Sequence, residues 1–414
     1  MKKILGLLMV MGLMVSFGGC GGDKDSPTGP SEEVAKGPQG QTLEVKTEEY
    51  DNGNIKVEFQ YYRDGGSVVK HGYYKEYGET GNLLDEDTYR EGSCVESCEW
   101  RKTYGDGYGK SVQQTVDGGF VVTGRDGDRD FLLIKTDGQG NEEWRKTYGK
   151  GVGSSVQQTV AGGFIVTGGD GESDFLLIKT DGQGNEEWRK TFEGYGSSVQ
   201  QTVDGGFVVT GRDGDGVVLL KTDVVGNEEW RKTYGDGVGS SVQQTVDGGF
   251  IVTGDVCCYT RFLLEIDGQG NQEWRKTYGG GEGNSVQQAV DGGFIVTGWD
   301  GDWDALLLKT DGQGNEEWRK TFGDGSGSSV QQTVDGGFIV TGKIKGDDGR
   351  WDVLLLKTDG QGNEEWKKTF GGGDGFSVQQ TVDGGFIVTG EDDDGLLLLK
   401  TNELGYIDLD LEDE

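Results

Sequence analysis

Proline is nearly absent from this 414-residue chain, with 3 residues, and histidine occurs once, as His71. A single imidazole removes most chemistry that relies on histidine as base, triad member or metal ligand, paired-histidine and histidine-rich sites above all. Positive charge is scarce too: 39 Lys and Arg stand against 73 Asp and Glu, a formal net charge of −34. A polyanion gains nothing from counterion release at a phosphate backbone, so nucleic acid and anionic membrane surfaces are poor partners. No apolar run reaches the ~20 residues that a spanning helix needs. What the chain has instead is glycine, 80 residues of it, together with 10 Trp, 15 Tyr and 16 Phe. That mixture suits a core built from many short strands parted by tight turns.

Lys2 and Lys3 precede a short apolar run over residues 4–17 that ends in Ser16-Phe17-Gly18-Gly19-Cys20. A charged start, a brief apolar stretch and small residues before a cysteine make residues 1–19 a signal peptide. The motif resembles the lipobox of bacterial lipoproteins, with Phe17 where leucine is usual. The resemblance implies cleavage before Cys20 and its acylation, with palmitate-type chains as the membrane anchor. Gly21, with no Asp after the cysteine, is similar to lipoproteins of the outer membrane, in a host that has one. Residues 20–40 are rich in Gly, Ser, Pro and charge and carry no apolar period, which describes a flexible tether.

Residues 41–93 alternate strand-like segments (54–63, 71–77 and 83–90) with turn signals such as Asp51-Asn52-Gly53-Asn54 and Asp64-Gly65-Gly66, predicting a small β-meander. His71-Gly72-Tyr73-Tyr74-Lys75-Glu76-Tyr77 and Tyr89-Arg90-Glu91-Gly92 resemble MORN-variant repeats, which implies a spacer or interaction surface. Cys94 and Cys98 stand close enough in an exported protein to form a small disulfide.

From Trp100 the chain repeats itself. The tryptophans of Glu-Trp-(Arg/Lys)-Lys-Thr stand at 100, 144, 188, 230, 274, 318 and 366, and seven copies of Val-Gln-Gln begin at 112, 156, 199, 242, 286, 330 and 378. Each unit reads as four short strands, in the first copy residues 111–116, 120–124, 131–136 and 143–148. One four-stranded sheet cannot cover both of its faces, and a segment such as Leu132-Leu133-Ile134 is apolar on both. Radial packing of seven sheets solves this, so the fold expected for residues 94–405 is all-β, a seven-bladed β-propeller with four-stranded blades. The last copy lacks a Trp strand. Residues 98–104 are expected to supply it and close the ring, with residues 406–411 as the competing segment; 406–414 otherwise form an acidic tail. The array resembles bacterial and archaeal surface propellers with Thr-x-Asp-Gly-Gly-(Phe/Tyr) blades.

Strand alternation sorts the turns onto two faces. One carries the repeated Asp-Gly-Gly and Asp-Gly-Gln-Gly-Asn turns, the other the loops that differ between copies. Large side chains gather in the variable loops of copies four to six: Tyr259, Trp299, Trp303, Arg350 and Trp351, with Lys343 and Lys345 beside them. Aromatic faces next to cations predict a ligand site there, suited to a glycan with acidic groups or to a protein. Asp126-Gly127-Asp128-Arg129-Asp130 and Asp300-Gly301-Asp302-Trp303-Asp304 mimic the start of a calcium loop but lack its returning Glu, so calcium is a minor expectation and no other cofactor or metal is implied. Cys257 and Cys258 are adjacent, open to free thiols, a strained bridge or partner contact. Repetition places the same Gln, Thr and Asp in every blade, which offers no distinct acid, base or nucleophile. The function expected is therefore a monomeric, non-catalytic binding module in the cell envelope; a propeller lyase or hydrolase, or a purely structural component, is the alternative.

Overall fold

The computed structural model describes the strands at 44–49, 55–64, 67–77 and 83–89, and then residues 99–407 except 215, 257–259 and 347. Cys20, Cys94, Cys98, Cys257, Cys258 and Tyr259 lie outside the described residues, as do residues 1–40, where the signal peptide and tether are expected. The chain divides into two compact units. The first is an antiparallel meander of β1 (Glu44–Glu49), β2 (Ile55–Asp64), β3 (Ser67–Tyr77) and β4 (Leu83–Tyr89), paired in sequence order. Sequence patterning marks only three of these strands; β1 is the addition.

The second unit begins with β5 (Trp100–Thr103), followed by β6 (Gly107–Gln114), β7 (Phe120–Asp126), β8 (Asp130–Thr136) and β9 (Glu142–Lys150). β6 to β9 form one antiparallel blade, and the pattern recurs through the chain to give seven. The outer strand of blade five and the inner strand of blade six run on as one 17-residue strand, Glu316–Gln332. β8 is buried along nearly its whole length because both of its faces meet neighbouring blades, whereas β9 is exposed at alternate positions. The inner strand differs from its expected bounds. It starts at Gly107 rather than Ser111 and stops at Gln114, because the Thr115 carbonyl accepts from Gly118 N and opens a turn that leaves Val116 exposed.

The seventh blade is completed by β5, which pairs antiparallel with Gly395–Thr401, Trp100 opposite Lys400 and Thr103 opposite Leu397. Tyr406, at the start of the competing segment, is engaged in a turn: its amide donates to Asn402 Oδ1 at 3.0 Å.

Three rings of hydrogen bonds run between blades. In each blade the second Gln amide donates to Oε1 of the first Gln of the preceding blade at 2.5–2.6 Å. The valine amide before it donates to a serine Oγ of that preceding blade at 3.2–3.3 Å. In the reverse sense, the second Gln accepts from the turn valine of the preceding blade at 2.9–3.0 Å. Each ring closes from blade seven onto blade one, so the propeller is closed. Outer strands join the next blade through their tryptophans. Trp100 meets Phe120 at 5.9 Å between ring centroids, and the six equivalent pairs lie at 5.8–6.0 Å. Trp100 also lies over Gly140, whose φ of +72° and 2.6 Å clearance for a Cβ both demand glycine.

Candidate ligand-binding face

On the repeated face the turns consume their own polar groups. Asp181 accepts backbone N–H groups from Gln183 and Asn185 and the Asn185 side-chain amide, all at 2.8–2.9 Å. Those bonds, led by the Asn185 side chain, hold its carboxyl below the usual aspartate range. Beneath them sits a buried lysine: Lys135 Nζ lies 3.1 Å from Asp117 and 2.9 Å from Glu143, and donates to the Thr136 carbonyl. Blade four departs from this plan. Glu265 takes the lysine's place, buried near Asp247 and Glu273; burial and, beyond it, those two carboxylates push it up, while a hydrogen bond with Trp274 pulls it down. The axis holds a cavity of about 240 Å³ lined by a Val and a Gln from each blade.

Of the residues picked from the sequence on the variable face, the described ones make two ring contacts with one another, Trp299 with Trp303 and Lys343 with Trp351. Trp299 is not solvent-accessible as expected: it is 7% exposed, because its strand position turns the indole under Trp303. The two rings stack at 4.2 Å with 4° between their planes. Trp303 itself is 59% exposed, and its φ of +69° is a left-handed conformation that costs a bulky residue free energy. Trp351, on blade six, is 40% exposed with Lys343 Nζ 5.3 Å from its ring centroid. The cations meant to orient an acidic glycan each have an aspartate: Lys343 with Asp374 at 2.8 Å, Lys345 with Asp324 at 3.4 Å, and the exposed Arg350 with Asp348 at 3.9 Å. The acidic loops are ordinary hairpin turns. Asp126 Oδ1 accepts from Asp130 N, and Asp300 Oδ1 from the amides of Asp302 and Asp304. No group of three or more metal-ligating side chains is assembled among the described residues.

Sequence reasoning missed Arg261. It occupies the place that Phe131 and Phe175 hold in blades one and two, and it is fully buried. Nη2 donates to the carbonyls of Gly280 and Trp299, the latter at 2.8 Å, while Nε and Nη1 have no hydrogen-bond partner. Burial, with Arg319 second, brings the guanidinium down to about 10. Arg261 thus fixes the backbone from which the Trp299–Trp303 stack rises.

A second feature lies between blades two and three, a cavity of about 560 Å³ lined by Gly169, Asp170, Glu172, Tyr195 and Arg212 among others. Its signal in the sequence is one column of the repeat: after Thr-Gly, the copies read Arg125, Gly169, Arg212, Asp255, Trp299, Lys343 and Glu391.

No family model matches the chain, and no curated protein matches it in sequence. Among solved structures it is similar to the WD40 β-propeller domain of Doa1, at a TM-score of 0.57 and 14% identity over 73% of this chain and 96% of that one. A protein of unknown function from Bacteroides caccae aligns at a TM-score of 0.45 and 16% identity over 60% of this chain and 93% of that one. At such identities the first likeness concerns the fold, a β-propeller.

Proposed function

We propose that this chain is a non-catalytic binding module of the bacterial envelope, anchored by lipid at Cys20 and presenting the variable face of its propeller to a glycan or protein partner. The observation that carries the reading is Trp303. An indole 59% exposed, held in a left-handed backbone conformation and backed in parallel by Trp299, is a rigid apolar platform whose ordering entropy is already spent on folding. Flat aromatic platforms suit the apolar face of a sugar ring or an extended side chain. Trp351 with Lys343 adds a second, smaller surface on the adjacent blade. The axis supports a binding role over catalysis in the same spirit, since its lining repeats Val and Gln and brings no acid, base or nucleophile into the cavity. Screening the wild-type propeller and Trp303→Ala against a glycan array, with envelope proteins as a parallel panel, tests the reading. Binding that Trp303→Ala weakens supports it; wild type bound to neither panel overturns it.

A further inference from the structure

The cavity between blades two and three exists because one side chain is missing from the repeat. Six copies put Arg, Asp, Trp, Lys or Glu directly after the Thr-Gly pair, and blade two alone puts Gly169 there. Blade three deepens the gap by shortening its own loop, so that successive tryptophans at 188 and 230 are 42 residues apart where most copies keep 44. Tyr195, 47% exposed, leans over the vacancy, and its ring would lie 3.4 Å from a Cβ at Gly169. Its hydroxyl pairs with Ser154 Oγ at 3.4 Å, which fixes the ring's edge. The floor is tied shut where Gly194 N donates to the Ser173 carbonyl at 3.0 Å. The resulting space of about 560 Å³ falls inside the ~300–1,000 Å³ typical of small-ligand pockets.

We infer that this cavity is a binding site for a neutral pyranoside of one or two rings. Its rim mixes signs: the carboxylates of Asp170 and Glu172 accept hydrogen bonds, the Arg212 guanidinium donates them, and exposed glycine backbone offers both. Sugar hydroxyls donate and accept at once, so a mixed rim satisfies them, while Tyr195 supplies the apolar contact for a ring face. The lining acids outnumber the one arginine and the whole chain carries −34, which disfavours an acidic sugar. Asp170 Oδ1 accepts the amides of Glu172 and Asp174 at 2.9 and 3.2 Å, the same hairpin-turn bonds that Asp300 makes, so its place on the rim is set by the loop itself. The site shares with the proposed function only the idea that the variable face binds; it lies on other blades than Trp303.

Saturation-transfer NMR on the full-length protein, titrated with methyl glycosides of glucose, galactose, mannose and N-acetylglucosamine and with methyl glucuronide as the charged comparator, tests the inference. At least one neutral glycoside is expected to bind, and more tightly than the glucuronide. Gly169→Arg, which copies the residue of blades one and three and meets Tyr195 at an ordinary contact distance, is expected to fill the cavity and weaken binding at least about tenfold. Tyr195→Ala gives an independent second reading, and an unchanged melting temperature certifies both variants. Failure of every neutral glycoside to bind wild type at millimolar concentration overturns the inference, as does binding that survives Gly169→Arg unchanged. Neutral-sugar binding lost in Trp303→Ala and kept in Gly169→Arg overturns this site while leaving the proposed function standing.

Discussion

The backbone amide of Gln114 donates to Oε1 of Gln379 at 2.6 Å across 265 residues of sequence. It is the same bond that joins every other pair of adjacent blades, and here it joins the last blade to the first. Closure therefore rests on two independent devices: this inner hydrogen-bonded ring and the outer strand β5, which makes the chain's beginning the fourth strand of its final blade.

Removing the clasp is expected to cost far more stability than removing the N-terminal meander. Deletion of residues 98–104 bares the edge of the last blade and strips Trp100 from Phe120 and Gly140. Trp100→Ala alone is expected to cost about 3–5 kcal/mol, as for a large buried aromatic. Gln379→Ala is expected to cost about 1–3 kcal/mol by leaving the Gln114 amide unsatisfied. Denaturant unfolding checks the order; a larger loss on deleting residues 41–92 contradicts the clasp.

Blade four is expected to gain stability on Glu265→Lys. In blade six Lys357 sits between Asp335 and Glu365 at 2.8 and 2.7 Å. Burial opposes ionisation of Asp335, yet hydrogen bonds from Lys357, Thr333 and the Gly337 amide hold it down to about 2. Its contribution is present above the ordinary aspartate range and is lost as pH falls toward 2. Glu265 works in the opposite direction. Its carboxyl is raised, so the folded state binds the proton more tightly than the unfolded one, and stability declines as pH climbs from the ordinary glutamate value through the raised one. The lysine substitution is expected to add on the order of 1 kcal/mol at neutral pH, modest because such partners are half in solvent, and less at pH 4. Melting curves at the two pH values check both size and sign.

Much of this architecture is legible in the sequence because the forces that build it repeat. Seven tryptophans, seven Val-Gln-Gln units and seven Gly-Gly-Phe turns fix blade number, and the unmatched Trp100 strand points to the clasp. Strand ends are less legible. Thr115 and Val116 look like the continuation of a β-branched strand, but the Thr115 carbonyl is captured by Gly118 and the strand stops at Gln114. The site is least legible. A pattern of aromatic loops shows where copies differ but not which way a side chain turns, so Trp299 and Trp303 look alike in sequence while one is buried beneath the other. A missing side chain such as that of Gly169 gives only a weak signal, because a cavity is defined by what its neighbours leave empty.

In the proposed reading, localisation turns on one atom, the Cys20 sulfur. Cys20→Ser is expected to leave the protein water-soluble in the envelope fraction or the medium, while wild type partitions into detergent, since stable anchoring needs at least two lipid signals and a lipoprotein cysteine supplies them. Fatty-acid labelling of both forms checks it; equal labelling of wild type and variant contradicts it.

Trp303 and Arg261 separate binding from stability at the same spot. Trp303 is mostly in solvent, so Trp303→Ala is expected to change stability by no more than about 0.5 kcal/mol, while removing about 1–2 kcal/mol of ligand affinity as a binding hot spot. Trp299→Ala is expected to lower both, since it opens a cavity and takes away the backing ring. Arg261→Phe installs the apolar residue of blades one and two and deletes a buried guanidinium with two unpartnered nitrogens, so the melting temperature is expected to hold or rise. The same substitution frees the Trp299 carbonyl that Nη2 holds at 2.8 Å, and the stack above it is expected to loosen. Affinity then falls while stability does not. Paired measurement of melting temperature and ligand affinity across these variants checks the separation. A drop in melting temperature for Arg261→Phe as large as that for Trp299→Ala would show that the arginine serves the blade interface rather than the platform.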